Sequence, residues 1–414
     1  MKKNFIQETT FLDPENSSGR IKVEKLLGLL YEHPYKDDLM KSLNVEPIMD
    51  DYITIDYVDT IYSKVKKILT KYRRFNILAQ TKHIDVFEKS IDGDDDIVFF
   101  FEEYAEDGVV GNKLEAISIY GAKNSFLDEY AMTKYANNLY KIGQSELAHY
   151  NVQYFKSLAS VSDEYNKERN YRLLSDGENV FVRGIVSTQR YHEYGVDFAF
   201  VVAMLVLHEN MKQNKGVEYE IRSAALNESK LDMIIVEKHT HDAGSFGHVS
   251  TAIKVSTNDL GNGSLNFTNV VRVLQKNQRG VYLIPRRDTI FENDPLIIPH
   301  SKKPENVFPM LNDMGFILNT SKDFVQELKS IKTIKNPDEL RIKILFKLNN
   351  SRSSFKDIKT LSDIFRRRID NEISNFSKLL EMCNKAEELN MEYDLKEKLR
   401  YIISDIILYG RARD

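Results

Sequence analysis

From Val196 to Leu207 the chain is apolar at every position except Asp197. The run falls short of the roughly 18 to 20 residues that a bilayer span needs, and no longer apolar stretch occurs elsewhere. It has the length of a buried core helix, expected from about Val196 to Lys212. On both sides the patterning changes to a period of two. Val180 and Val182 alternate with Phe181 and Arg183 before it. After it, Val249, Thr251, Ile253 and Val255 share one strand face and Ser250, Ala252 and Lys254 the other. Leu265 and Phe267 begin a further strand across the turn Gly261-Asn262-Gly263, and Val281 to Pro285 makes another. A single helix among strands that do not alternate with helices gives an α+β class, with a mixed or antiparallel central sheet and the helix packed on one face. Residues 170–300 are expected to form that one sheet.

The flanks read as helical. Up to about residue 90 the chain is charged and punctuated by Pro34 and Pro47. Asp92-Gly93-Asp94-Asp95-Asp96 lacks the regularly spaced oxygens of a calcium loop and reads as a turn. It opens a hairpin of Ile97–Phe101 and Leu114–Tyr120 through Asp107-Gly108 and Gly111. Tyr130, Tyr135, Leu139 and Ile142 then recur at helical spacing, ended by Gly143, and a second helix follows from Ser145. Past residue 304, Asn336-Pro337-Asp338-Glu339 starts a helix, and Leu361, Ile364, Phe365, Ile369, Ile373 and Phe376 stripe another. The 414 residues suggest two to three domains. We divide them into a helical N-terminal region with a hairpin (1–120), a central α+β domain (121–300) and a helical C-terminal region (301–414).

Cys383 is the one cysteine, so no internal disulfide forms, and its apolar neighbours place it as a buried hydrophobe. The N-terminus is no signal peptide, which together with the lack of a span makes a cytoplasmic location without a membrane partner the expectation. The 58 basic and 62 acidic residues leave a net charge of -4. That is no global basic excess, but a local basic face is enough to bind nucleic acid.

Two constellations carry candidate chemistry. His239 and His241, at i and i+2, with Asp242 and His248, offer a set of ligands for a divalent metal, though at no spacing known from zinc enzymes. A polar turn between two strands is the structural alternative. Lys64, Lys66, Lys67, Lys71, Arg73 and Arg74, with Tyr62, Tyr72 and Phe75 among them, form the densest basic and aromatic segment. On a helix these cations would flank a stripe of Ile61, Ile68, Leu69 and Tyr72, an arrangement suited to phosphate contacts and base stacking. Arg366-Arg367-Arg368 with Arg411 and Arg413 is a weaker basic cluster. The glycines at Gly177, Gly261 and Gly263 have no phosphate-loop context, and no cofactor is expected.

The run Val182-Arg183-Gly184-Ile185-Val186-Ser187-Thr188-Gln189-Arg190-Tyr191 resembles the Arg…Ser-x-x-Tyr segment of the phage/plasmid-like proteins, a domain family of unknown function. Ser256 to Leu265 is similar to that family's glycine turn, with Asn258 and Asp259 where the family has Ser and Glu. Arg272 to Asn277 resembles its following strand, with Gln275 in place of Cys. The helix through Tyr130 and Gly143 resembles the one that precedes its core, and the likeness spans about residues 120–285. It implies a phage or mobile-element protein that binds nucleic acid without cutting it, in replication, recombination or host takeover. Arg183 and Arg272 then join the candidate phosphate contacts, and phage or host replication or transcription proteins become candidate partners. The alternatives are a metal-dependent enzyme built on the histidine cluster, and a module whose C-terminal helices dock a complex such as a polymerase.

Overall fold

The computed structural model describes residues 8–10, 17–91, 93–188, 190–261, 263–274, 279–286, 296–312, 323–350, 353–366, 373 and 375–412. Asn262, Gln189, Gln275, Asn277, Ile369, Arg367, Arg368 and Arg413, all singled out above, lie outside them. The fold is α+β.

Short strands β1 (Glu8–Thr10) and β2 (Arg20–Lys22) lead to helices α1 (Val23–Leu27) and α2 (Lys36–Ser42), strand β3 (Tyr52–Asp56) and helix α3 (Val58–Lys71). A small barrel follows. Its first strand is bent by a 3-10 turn at Thr81–His83 into β4 (Arg73–Gln80) and β5 (Ile84–Ile91). β5 pairs antiparallel with β6 (Asp94–Glu106), and β6 with β7 (Val109–Ser118). Helices α4 (Ala122–Asp128), α5 (Thr133–Lys141) and α6 (Ser145–Val161) intervene before β8 (Glu168–Ser175) and β9 (Val180–Val186). β9 lies parallel to β7 and antiparallel to β8, and β8 returns to pair with β4. The pair Leu78–Ala105 closes the ring. If the bent β4–β5 counts as one strand, the order is first, second, third, fifth, fourth. With the third strand parallel to the fifth and the helices inserted between the third and fourth, this is the Greek-key connectivity of an OB-fold barrel. Phe99, Phe101, Tyr171 and Val182 fill its interior, and Phe126 and Met132 from the helices cap it.

Helix α7 (Gly195–Gln213) comes next, buried on nearly every side. Then β10 (Tyr219–Leu226), β11 (Lys230–Glu237), β12 (His241–Asp242), β13 (His248–Asn258), β14 (Ser264–Val273), β15 (Val281–Leu283) and β16 (Leu296–Pro299) complete a second sheet. Its order is β15-β14-β13-β11-β10-β3-β2 among the described residues, with β1, β12 and β16 paired at its margins. It is mixed, since β10 runs parallel to β3 while its other pairs are antiparallel. The expected helix and the strands at 249–255, 265 and 281 are therefore present. The expectation of one sheet over 170–300 is corrected, because β8 and β9 belong to the barrel.

Helix α7 packs on one face of this sheet, meeting Ile235, Ile253 and Val255. After α8 (Pro304–Asn312) come α9 (Pro337–Asn349), α10 (Lys359–Phe365), α11 (Phe376–Glu388) and α12 (Tyr393–Tyr409). They share one apolar cluster with Val249, Val271, Val273 and Val281, and α12 also covers the opposite face of the sheet, where Tyr401 meets Ala252, Val270 and Tyr282. Both faces of β13 are covered, so Ser250, Ala252 and Lys254 are buried with the odd positions. Lys254 Nζ is 2.8 Å from Asp232 and donates to Tyr401 at 3.1 Å, which satisfies a cation that burial alone would expel.

Candidate functional site

The basic segment does not lie on one helix. α3 ends at Lys71, Tyr72 is extended, and Arg73 and Arg74 open β4. The reason is visible in the sequence after them: Ile77 and Ala79 alternate into the barrel core and impose a period of two. On α3 the stripe holds for Ile61 and Ile68, which are buried, and for Leu69, which packs against the same core; Tyr72, just past the helix end, is buried there too. Lys66, Lys67 and Lys71 are exposed and Lys64 is half-buried.

Between α3, the N-terminal turns, β4 and β8 there is a cleft of about 930 Å³. Lys66, Arg73 and Arg74 line it, so three of the predicted cations converge there. Tyr31, Tyr35 and Phe75 line it as well. Tyr31 is 80 % exposed at the rim. Cations and rings interleave: the Arg73 guanidinium stands 4.7 Å from the Phe75 ring centre, and Lys36 Nζ is 5.9 Å from that of Tyr31. Arg73 is also ion-paired with Glu106.

The floor of the cleft is a polar cluster. Arg172 and Glu193 reach it, and Arg172 donates to the Tyr191 hydroxyl at 2.9 Å. Glu193 Oε1 receives Arg183 at 2.6 Å and contacts Arg172, with Arg74 at 4.0 Å. Arg74 donates to Asp197 Oδ2 at 3.0 Å. Behind them Asp259 is fully buried, 3.3 Å from His300 Nε2, and the His300 ring stacks on Tyr191 at 4.7 Å. Burial pushes the Glu193 carboxyl up, and the guanidiniums of Arg172, Arg183 and Arg74 reverse this and hold it well below the usual carboxylate range. Asp259 is shifted upward, chiefly by burial.

Two of the candidate phosphate contacts are buried. Arg183 is 1 % exposed and bound to Ser229 and Glu193, and Arg272 is buried on β14, donating to the Arg279 carbonyl at 2.7 Å. Arg272 does not line the cleft, and Arg183 stands behind Glu193 at its floor rather than on the open surface. The histidine set is not gathered either. The His239 and His241 rings meet edge to face at 4.9 Å, but Asp242 pairs in register with His248 and His241 with Val249, so His241 and Asp242 project to opposite faces of the ribbon. Among the described residues no group of three or more His, Cys, Asp or Glu is placed to hold a metal ion.

Sequence reading missed Arg172, Glu193, Asp197 and His300 as site residues. Asp197 carried a signal, since a carboxylate inside an apolar run is retained only with a partner. Arg172 carried the same one, between Tyr171 and Leu173. Three resemblance residues, Arg183, Tyr191 and Asp259, do meet in this cluster. Compared with family models, with curated proteins and with solved structures, the chain matches none.

Proposed function

We propose that the chain binds single-stranded nucleic acid, without cutting it, in the cleft between α3 and the barrel. The supporting observation is the convergence of Lys66, Arg73 and Arg74 with Tyr31, Tyr35 and Phe75 around one cavity of about 930 Å³. Cations along a groove neutralise phosphates, and aromatic faces stack bases of any identity, at about 1–3 kcal/mol per base. The barrel connectivity adds a fold-level analogy, since OB barrels bind oligonucleotides. Their usual binding strands, the second and third, carry exposed acids here at Glu102, Glu103 and Glu115. The cleft beside β4 and β8 takes their place. A setting in phage or plasmid replication or recombination rests on the resemblance of residues 182–191 and 256–265.

The test is binding of a fluorescent oligonucleotide across a salt series. Affinity should fall with a log–log slope of about 0.7 per phosphate contact on single strands. Lys66→Gln with Arg73→Gln should weaken binding at every sequence and flatten that slope, whereas Lys343→Gln with Lys347→Gln on α9 should not. Absence of binding at low salt removes the proposal.

One observation favours a second reading. Helix α9 buries Leu340, Ile344 and Leu348 but leaves Ile342 and Phe346 51 % and 69 % exposed, one turn apart. They line a groove of about 890 Å³ with Lys343, Lys347 and Arg411, a surface suited to an acidic apolar segment of a protein partner. Phe346→Glu should abolish saturable binding of a peptide of that composition, and equal binding by the variant would remove the reading.

A further inference from the structure

Three arginines from three barrel strands, Arg74 on β4, Arg172 on β8 and Arg183 on β9, converge on a single carboxylate oxygen, Glu193 Oε1. Glu193 belongs to the connection between β9 and α7, and its side chain keeps a quarter of its surface open to the cleft. Arg172 and Arg183 behind it are 1 % exposed, and Arg74 is half-buried. Both Arg172 Nε and Arg183 Nε are buried without a hydrogen-bond partner. A buried N–H with no acceptor is costly, so these arginines offer more donors than the Glu193 carboxylate uses. Of the other acids around it, Asp197 accepts from Arg74 through Oδ2 and Glu228 accepts from Ser229, whereas Asp197 Oδ1 and both oxygens of Asp259, set back beside His300, are buried without a hydrogen bond.

We infer that Glu193 occupies a phosphate site, standing where a phosphate group of the ligand binds once the carboxylate swings into the cleft. A phosphate presents three terminal oxygens to a carboxylate's two and takes guanidinium forks in pairs. Its second charge and additional oxygen match the surplus of donors. The site lies at the floor of the cleft and faces its opening, so a strand end lying along Lys66 and Arg73 brings its terminal phosphate to it. The inference deepens the cleft reading, on which the nucleic-acid source of the phosphate rests; the anion site itself stands on the three arginines.

The experiment compares wild type with Glu193→Ala by calorimetric melting, in inorganic phosphate and in chloride at matched ionic strength. The alanine variant should melt lower in chloride and regain stability saturably with phosphate, because the anion restores what the guanidiniums lost. Adding Arg74→Gln should weaken that recovery. If Glu193→Ala does not fold, Glu193→Gln keeps the volume without the charge and is held to the same criterion. No recovery beyond the chloride control, or equal recovery with Arg74→Gln, overturns the inference and leaves a structural ion network. Oligonucleotides separate the sources. A 5′-phosphorylated strand binding Glu193→Ala at least tenfold tighter than its 5′-hydroxyl twin places the phosphate on a strand end. Recovery by inorganic phosphate without that preference supports the site with a free phosphate or mononucleotide as its ligand. Binding of the 5′-hydroxyl strand to wild type reads the cleft proposal separately, so either can fail alone.

Discussion

Asp259 and Glu193 lie among the same arginines yet shift in opposite directions, because only Glu193 is bonded to them. Glu193 touches guanidinium nitrogens directly and is held low. Asp259 has neither oxygen hydrogen-bonded, so burial dominates and raises it. A carboxyl raised above its unfolded value of about 3.9 contributes stability fully below that pH and loses it as pH rises through the folded value. Asp259→Asn removes that loss. Its urea midpoint relative to wild type should therefore move in favour of Asn as pH rises from about 3 to about 7. A difference that stays flat with pH would contradict the assignment. Cys383 gives a second residue-level expectation. It is fully buried and burial pushes its thiol up, so mass spectrometry should find it unmodified by iodoacetamide in the native protein and modified in urea. Native alkylation at the rate of a free thiol would refute its placement. Cys383 was legible from its apolar neighbours. Among the floor residues Asp197 and Arg172 showed their burial in apolar neighbours, but not one showed its partner, because a sequence does not say which distant charge a buried charge meets.

At the level of elements, α7 was readable because its apolar run admits few alternatives, and β13 because its alternation is regular. β4 was not, since Arg73, Arg74 and Asn76 give its start the look of a charged helix end and Ile77 and Ala79 alone carry the strand period. The start of α7 depends on backbone as well as pattern. Gly195 has φ +80°, and a Cβ there would lie 2.3 Å from Asp197 Oδ1 and 3.2 Å from Arg74. Gly195→Ala is expected to cost about 1–3 kcal/mol in urea unfolding, through left-handed backbone strain and a displaced Arg74–Asp197 pair. A neutral substitution would show that the turn is relaxed. In the barrel, Phe101 is fully buried against Phe99 and Tyr171, with Tyr171 at 5.0 Å between ring centres. Phe101→Ala should lose about 3–5 kcal/mol, and a loss under about 1 kcal/mol would place the residue outside a packed core.

For the whole molecule, the α+β class could be read from patterning, but the partition of strands could not. β1, β2 and β3 join a sheet whose remaining strands begin at residue 219, and the barrel is inserted between them. Strand pairing over such separations is set by which faces meet, and alternation in one strand does not name its partner. The same long-range closure forms the cleft, since Tyr31, Lys66, Arg73 and Arg172 meet from four separate segments. The chain contains no tryptophan, so Tyr31→Trp puts a single indole at the cleft rim. Titrating that variant with a single-stranded oligonucleotide should quench its fluorescence saturably as a base stacks on the ring, and Lys66→Gln with Arg73→Gln should shift the curve to higher concentration. Unchanged fluorescence across a titration that anisotropy shows to be saturated would place the binding elsewhere and contradict the account.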